Sequence, residues 1–462
     1  MNAIILSAVW GVVMMFSGVF LKSKDHVRIA AIFGALLLLV TNSLEMSGHS
    51  FFQVNTSGMI RIDRFNLLFN EIILFCTLIY FLLSGSDILK IGNHGAEYFA
   101  LMFFVLCGVG LAVSFTNLLI LFIGIEIISI PLYILTGSDK RNLKGNEAAL
   151  KYFLMGSFST GIMLMGIALL YGASPDGSFF IDKLGITADR FNTISAVGIV
   201  LLLVAMSFKV SAAPFHFWTP DAYDGAPIAI TSFMSTIVKA AAFVAFLRLF
   251  NEGFGTVHLK WKLLVAVITA ATLFIGNITA VFQNSVKRMM AYSSIAQAGF
   301  MLLSIFALNT QAKEGLILYT TAYSLATIGV FAILIKMDDY TIDGFRGLAK
   351  SQPLVAFTMT VFLLSLAGIP VTSGFLAKYY MLLAVVKGGM HIWLVIFAVL
   401  CAAVSVYYYF KVIQAMYFKE GDVQFAAVTA SYPWILSLLA VLVILLGLFP
   451  DYLLTWLYYD LF

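Results

Sequence analysis

Apolar residues fall along this chain in long, nearly unbroken runs separated by short polar stretches. Fourteen runs stand out, at roughly 3–21, 27–46, 66–84, 96–113, 116–136, 147–171, 192–218, 225–250, 261–282, 288–308, 313–336, 353–384, 391–418 and 431–449. As a helix, a run of about 18–25 residues is long enough to cross a hydrocarbon core of ~30 Å. The short alternating strands of a β-barrel are absent from the pattern. The expected fold is all-α and polytopic, with one transmembrane helix for each run. The first run lacks a basic start and a small-residue cleavage site, so it is expected to remain as a helix.

Two runs depart from the rest in matching ways. The seventh contains "FKVSAAPFHFWTP" and the twelfth "LAGIPVTSGFLAKYY", each joining a proline-interrupted helix to a lysine. Such a break frees backbone amides and carbonyls, tolerated in a bilayer only where protein or a wet cavity satisfies them. Paired breaks five helices apart suggest two inverted five-helix repeats. On that reading residues 1–95 form helices 1–3, 96–250 the first repeat (helices 4–8) and 251–418 the second (helices 9–13). The last helix and a short tail occupy 419–462. The alternative is two unrelated proline kinks.

Composition agrees and removes several functions. The 462 residues are 61% hydrophobic and 11% charged, with a mean hydropathy of +0.99, far from soluble domains. Cys76, Cys107 and Cys401 lie inside apolar runs, without a CxxC or a histidine cluster, so no metal, iron–sulfur or disulfide framework is expected. No Walker A sequence and no GxGxxG after a strand argue for nucleotide or flavin binding. An excess of four positive charges is too small and dispersed to suggest nucleic acid.

Basic residues in the loops set the expected orientation. With the N-terminus outside, inner loops hold thirteen Lys and Arg residues, Lys22 among them, against nine in outer loops. Both termini are therefore expected on the outer side.

Five lysines remain inside the runs. Lys151 lies one turn into its helix, four residues after Glu147, as a snorkelling i,i+4 pair would. Lys411 lies close to the inner surface and is expected to snorkel. Lys209, Lys239 and Lys378 are deeper, and Glu126 is read as the one deep carboxylate. Each such charge costs about 2.5–3.5 kcal/mol at a helix centre, roughly 10–14 kcal/mol for four facing lipid. They are expected to face inward, toward one another or toward water. A packing-only ion pair between Glu126 and one lysine would leave two lysines without partners, and apolar replacements of such pairs are often no less stable. Desolvation favours a neutral amine, whereas a nearby carboxylate favours the ammonium. Moving or neutralising Glu126 would then let Lys209 release a proton, with Lys239 receiving it and Lys378, in the outer half of its span, passing it outward. Tyr323, Ser293, Ser294 and Gln297 are either holders of bridging waters near the centre or ordinary interhelical hydrogen-bonders. His216 either assists uptake or caps the broken helix.

The stretches "GIEIISIPLYIL", "FKVSAAPFHFWTPDAYDGAP", "STIVKAAAF", "VKRMMAYSSIAQAGFML" and "GIPVTSGFLAKYY" together resemble the antiporter-like membrane subunits of respiratory complex I, on the subunit N branch. The resemblance spans nearly the whole chain, although single motifs are shared with cation/proton antiporter and membrane-bound hydrogenase subunits. It implies a fourteen-helix fold with two inverted repeats, and proton translocation driven by quinone reduction elsewhere in an NADH-quinone oxidoreductase. It implies no redox cofactor here, FMN, iron–sulfur clusters and quinone in partner subunits, neighbouring membrane-arm subunits as partners, and a bacterial inner membrane. By motif, Glu126 matches the fifth-helix glutamate, Lys209 the seventh-helix lysine, Lys239 the eighth-helix lysine and Lys378 the twelfth-helix terminal residue. Gln297 and Tyr323 stand where related sequences often have histidine. A central relay here would depend more on water. The chain stops at Phe462 without a long amphipathic extension, unlike the terminal subunit of the arm. The rival readings are an antiporter or hydrogenase subunit and a purely structural bridge in the arm.

Overall fold

The computed structural model describes every residue except Lys22, Asn93, Met390 and 459–462, so the expectations at Lys22 and Phe462 lie outside the described residues. The chain forms α1 (Asn2–Phe20), α2 (Lys24–Met46), α3 (Arg64–Ile88), α4 (Gly95–Ser114), α5 (Leu118–Thr136) and α6 (Leu143–Ala173). Next come α7 (Thr193–Lys209), α8 (Trp218–Gly225), α9 (Ile228–Gly253), α10 (His258–Val281), α11 (Val286–Ala307) and α12 (Thr310–Leu334). The chain ends with α13 (Pro353–Ala367), α14 (Ser373–Lys387), α15 (Ile392–Phe418), α16 (Ser431–Leu448) and α17 (Asp451–Tyr458). Twelve of these are long and apolar enough to span a bilayer. The seventh and twelfth runs are each split into two shorter helices. The run expected at 353–384 is two helices around residues 368–372, and the run at 192–218 ends its first helix at Lys209. The short helix α17 was not foreseen from the sequence.

Successive full spans alternate in direction, with α13 and α14 together making one of them. The start of α1 shares one end of the bundle with the end of α4 and the starts of α5 and α12, and the loops at 88–95, 136–143, 210–228 and 335–352 share the opposite end. Helices α9, α11 and α12 are buried nearly all round, whereas α1, α2, α6, α10, α15 and α16 expose wide apolar faces. In lipid the central helices gain little from apolarity itself, so close packing of small residues holds them together. A Cβ at Gly276 of α10 would lie 2.5 Å from the Ala296 backbone nitrogen of α11.

Several basic residues counted as loop charges are in fact buried and bonded. Arg248 donates to the Asn66 side chain and the Val113 carbonyl, both at 2.9 Å. Lys336, at the end of α12, pairs at 2.6 Å with Asp87 at the end of α3 and is 6% exposed. Asp87 also pairs with exposed Lys90 at 2.9 Å. Lys336→Ala should therefore leave Asp87 half-compensated and cost about 2 kcal/mol, less than breaking an isolated buried pair. A lower thermal midpoint of the assembled protein is the expected result, and an unchanged midpoint would count against the pair's contribution.

Candidate functional site

Both helix breaks follow from their sequences. Pro214 and Pro370 supply no amide to a preceding turn, and Ser211 and Val371 hold left-handed backbone at φ 64° and 75°. After α7 the chain turns within residues 210–217, where the Ala213 amide donates to the Thr272 hydroxyl at 2.9 Å. The freed Phe208 carbonyl accepts from the Trp218 indole at 3.1 Å. After α13, Gly368 takes φ 83°. The Leu366 and Ala367 carbonyls freed there accept from the Lys378 ammonium at 2.9 and 2.8 Å. That ammonium also lies 4.9 Å from the centre of the Phe300 ring, a cation–π distance.

Lys209 donates to the Ser129 hydroxyl of α5 at 3.0 Å. Glu126, three residues earlier on the same helix, accepts instead from Thr160 of α6 at 2.8 Å. The two charges form no ion pair within 4 Å among the described residues. Glu126 is half-buried, between the exposed Ile123 and Ile130. Glu126 thus meets a neighbouring helix through Thr160, with no direct bond to a deep lysine among the described residues. Glu126, Ser129, Tyr133 and Thr136 recur at three- and four-residue spacing along α5, and the last three are buried, so they mark the side of the helix turned to the bundle. Glu126 was also not alone: Glu71 of α3, half-buried, accepts from Asn42 at 2.7 Å and Ser43 at 2.6 Å.

Lys239 is 2% exposed and sits about 16 Å along α9. A π-helical turn, Met234–Val238, directly precedes it and re-aims the helix face. Its ammonium donates to the Ser294 hydroxyl at 3.0 Å and carbonyl at 3.1 Å, and faces the Tyr223 ring. A cavity of about 20 Å³ beside Lys209 is lined by Ser129, Tyr152, Trp218 and by Val238 and Ala242, which flank Lys239 on α9. That is room for about one water.

One turn beyond Ser294 on α11, Gln297 donates to the Leu366 carbonyl at 2.9 Å and to Tyr409 at 3.2 Å. Its own oxygen accepts from Tyr319, and Tyr409 bonds Ser293. Leu366 O thus accepts from both Gln297 and Lys378. A cavity of about 10 Å³ joins Gln297, Tyr319, Tyr323, Ser365 and Lys378, and the Tyr323 hydroxyl has no protein partner.

The remaining sequence candidates lie elsewhere. Lys151 is a surface residue, bridging Glu147 and also Asp221, each at 2.8 Å. His216 is buried past the first break with its Nδ1 unpartnered. Ser129, Thr160, Tyr319 and Tyr409 were missed. Ser129 lies one turn from Glu126, which puts it on the same side of α5, and that spacing was the available signal. Among the described residues Ser129 alone bonds the Lys209 ammonium, so Ser129→Ala should leave assembly intact and lower function about twofold to fivefold, because a water in the neighbouring cavity can replace most of the lost hydroxyl. Equal activity in assembled protein would show that Ser129 positions nothing.

Fold and site together define an antiporter-like membrane subunit. Residues 116–405 match the family model described as NADH:quinone oxidoreductase/Mrp antiporter, TM. The NADH-quinone oxidoreductase subunit N of Cytophaga hutchinsonii is 40% identical, over 98% of this chain and 99% of its own length. A chain of respiratory complex I from Thermus thermophilus superposes with a TM-score of 0.85 at 32% identity, covering 98% of each chain. A chain of the Mrp complex from Dietzia shares the fold, with a TM-score of 0.85 at 21% identity over 98% of this chain and 95% of its own. The chain belongs to the subunit N family of NADH-quinone oxidoreductase. Its partners are the other subunits of that complex.

Proposed function

We propose that this subunit carries protons across a bacterial inner membrane through Glu126, Lys209, Lys239 and Lys378, coupled to quinone reduction in another subunit. The observation that carries this reading is the run of polar groups from Lys239 to the second break. Lys239 reaches Ser294, Gln297 lies one turn further on α11, and Gln297 and Lys378 meet on one carbonyl. A plain anchor has no use for three ammonium groups placed in this order, since each costs about 3 kcal/mol if left facing lipid. Protons enter near Lys209, at the end of the bundle holding the 210–228 loop, and leave from Lys378, about 13 Å from the other end. The N-terminus then lies on the periplasmic side, as the loop charges favour.

In this reading 96–250 and 251–418 are the two inverted units, each contributing one broken helix and one deep lysine beside its break. Lys378 occupies both carbonyls freed at the second break, which leaves them unavailable to Na⁺ and favours protons as the carried ion. FMN, iron–sulfur clusters and quinone belong to partner subunits. The test is proton pumping per NADH oxidised, in vesicles carrying the assembled complex with Lys209→Met or Glu126→Gln. Turnover and pumping should fall together by about threefold. Normal values for both, with full subunit content, would leave the arrangement a structural one.

A further inference from the structure

A cavity distinct from the small ones beside Lys209 and Lys378 has a charged lining that is chiefly basic. It measures about 840 Å³ and opens at the end of the bundle that holds the 88–95, 136–143 and 335–352 loops. Six cationic side chains line it, Lys24, Lys90, Lys140, Arg141, Lys287 and Lys336, against the carboxylates Asp87 and Asp139. Asp87 is already committed to Lys90 and Lys336. Lys24, Lys140, Arg141 and Lys287 have no carboxylate within 4 Å among the described residues. Lys287 is 6% exposed and spends two of its three donors on the Asp224 and Ala226 carbonyls, at 2.6 and 2.7 Å. Lys287 is itself part of the cavity wall. Pro227, Ile228 and Ala229 also line the wall, so the 26-residue helix α9 begins there, and no side chain caps its first amides.

This arrangement lacks negative charge, not water. A buried ammonium, a ring of cations and an uncapped helix start all favour an anion with several acceptor oxygens. The cavity lies where the helices end, at the depth of lipid headgroups, and its volume exceeds that of a single inorganic ion. We propose that the cavity binds a phosphate group. Its source is the headgroup of an acidic phospholipid or free phosphate, which share this chemistry. Seated there, the anion neutralises Lys287, which lies at the start of α11, two turns from the Ser294 that holds Lys239.

The test uses the assembled, delipidated complex with Lys140→Gln/Arg141→Gln, both exposed at the rim, and with Lys313→Gln at the other end as control. In one arm the complex enters phosphatidylcholine nanodiscs doped with phosphatidylglycerol bearing a photoreactive headgroup, and crosslinking to residues 137–146 is quantified. In the other, binding of radiolabelled inorganic phosphate is measured by equilibrium dialysis. The rim variant should lose about tenfold in one arm while the control loses nothing. Loss of crosslinking identifies the lipid as the source, and loss in dialysis alone identifies free phosphate. Equal signals for variant, control and unmodified complex in both arms would overturn the proposal.

Discussion

Lys239→Met should give a complex that assembles with full subunit content yet loses about tenfold or more in both NADH–quinone turnover and pumping. The argument rests on what Lys239 does not touch. Among the described residues it has no carboxylate partner, only the Ser294 hydroxyl and carbonyl and the face of Tyr223. Removing one member of a buried ion pair strands the other charge, which is why such variants often fail to fold. Here nothing is stranded but one hydroxyl and one carbonyl lone pair, and methionine fills nearly the same volume. Folding should therefore survive and only the chemistry should go. The effect exceeds that expected at Lys209 because Lys209 is only partly buried and faces a water-sized cavity, so a water can partly stand in for it. Lys239 is sealed, at 2% exposed. An assembled Lys239→Met complex with normal pumping would remove the central ammonium from the mechanism.

Much of this was legible in the sequence, and the parts that were not share a cause. Length and apolarity located every transmembrane run, and Pro214 and Pro370 located both breaks, because a missing amide is a local fact. The depth of Lys209, Lys239 and Lys378 followed from counting along a helix. Burial did not follow. How completely a neighbouring helix covers a side chain is not written in its own helix, so half-buried Glu126 and sealed Lys239 looked alike. Burial of Lys287 and Lys336 depends on carbonyls and carboxylates more than sixty residues away. Tyr319 and Tyr409, which hold Gln297 in place, are indistinguishable in sequence from tyrosines at the membrane interface.

Gly368→Ala should damage the second break through its lysine. Gly368 sits at φ 83°, where an L side chain costs about 1–2 kcal/mol before any contact is considered. A Cβ there would also stand 2.8 Å from Lys378 Cδ and 3.2 Å from its ammonium. The lysine can swing away from that contact, but only by leaving the Leu366 and Ala367 carbonyls it now satisfies. The Ala367 carbonyl would then be orphaned inside the bilayer, at a cost of about 1–3 kcal/mol. Gln297 also bonds Leu366 O, so the loss reaches α11. The variant should reduce assembled complex about fivefold and lower the pumping of what remains about tenfold. Lys378→Met separates the two effects, since it removes the ammonium without adding strain at Gly368. If Gly368→Ala alone abolishes assembly while Lys378→Met assembles and fails to pump, the break is a scaffold for the lysine. Normal pumping by assembled Gly368→Ala would mean that the ammonium's seat on those carbonyls has no bearing on transport.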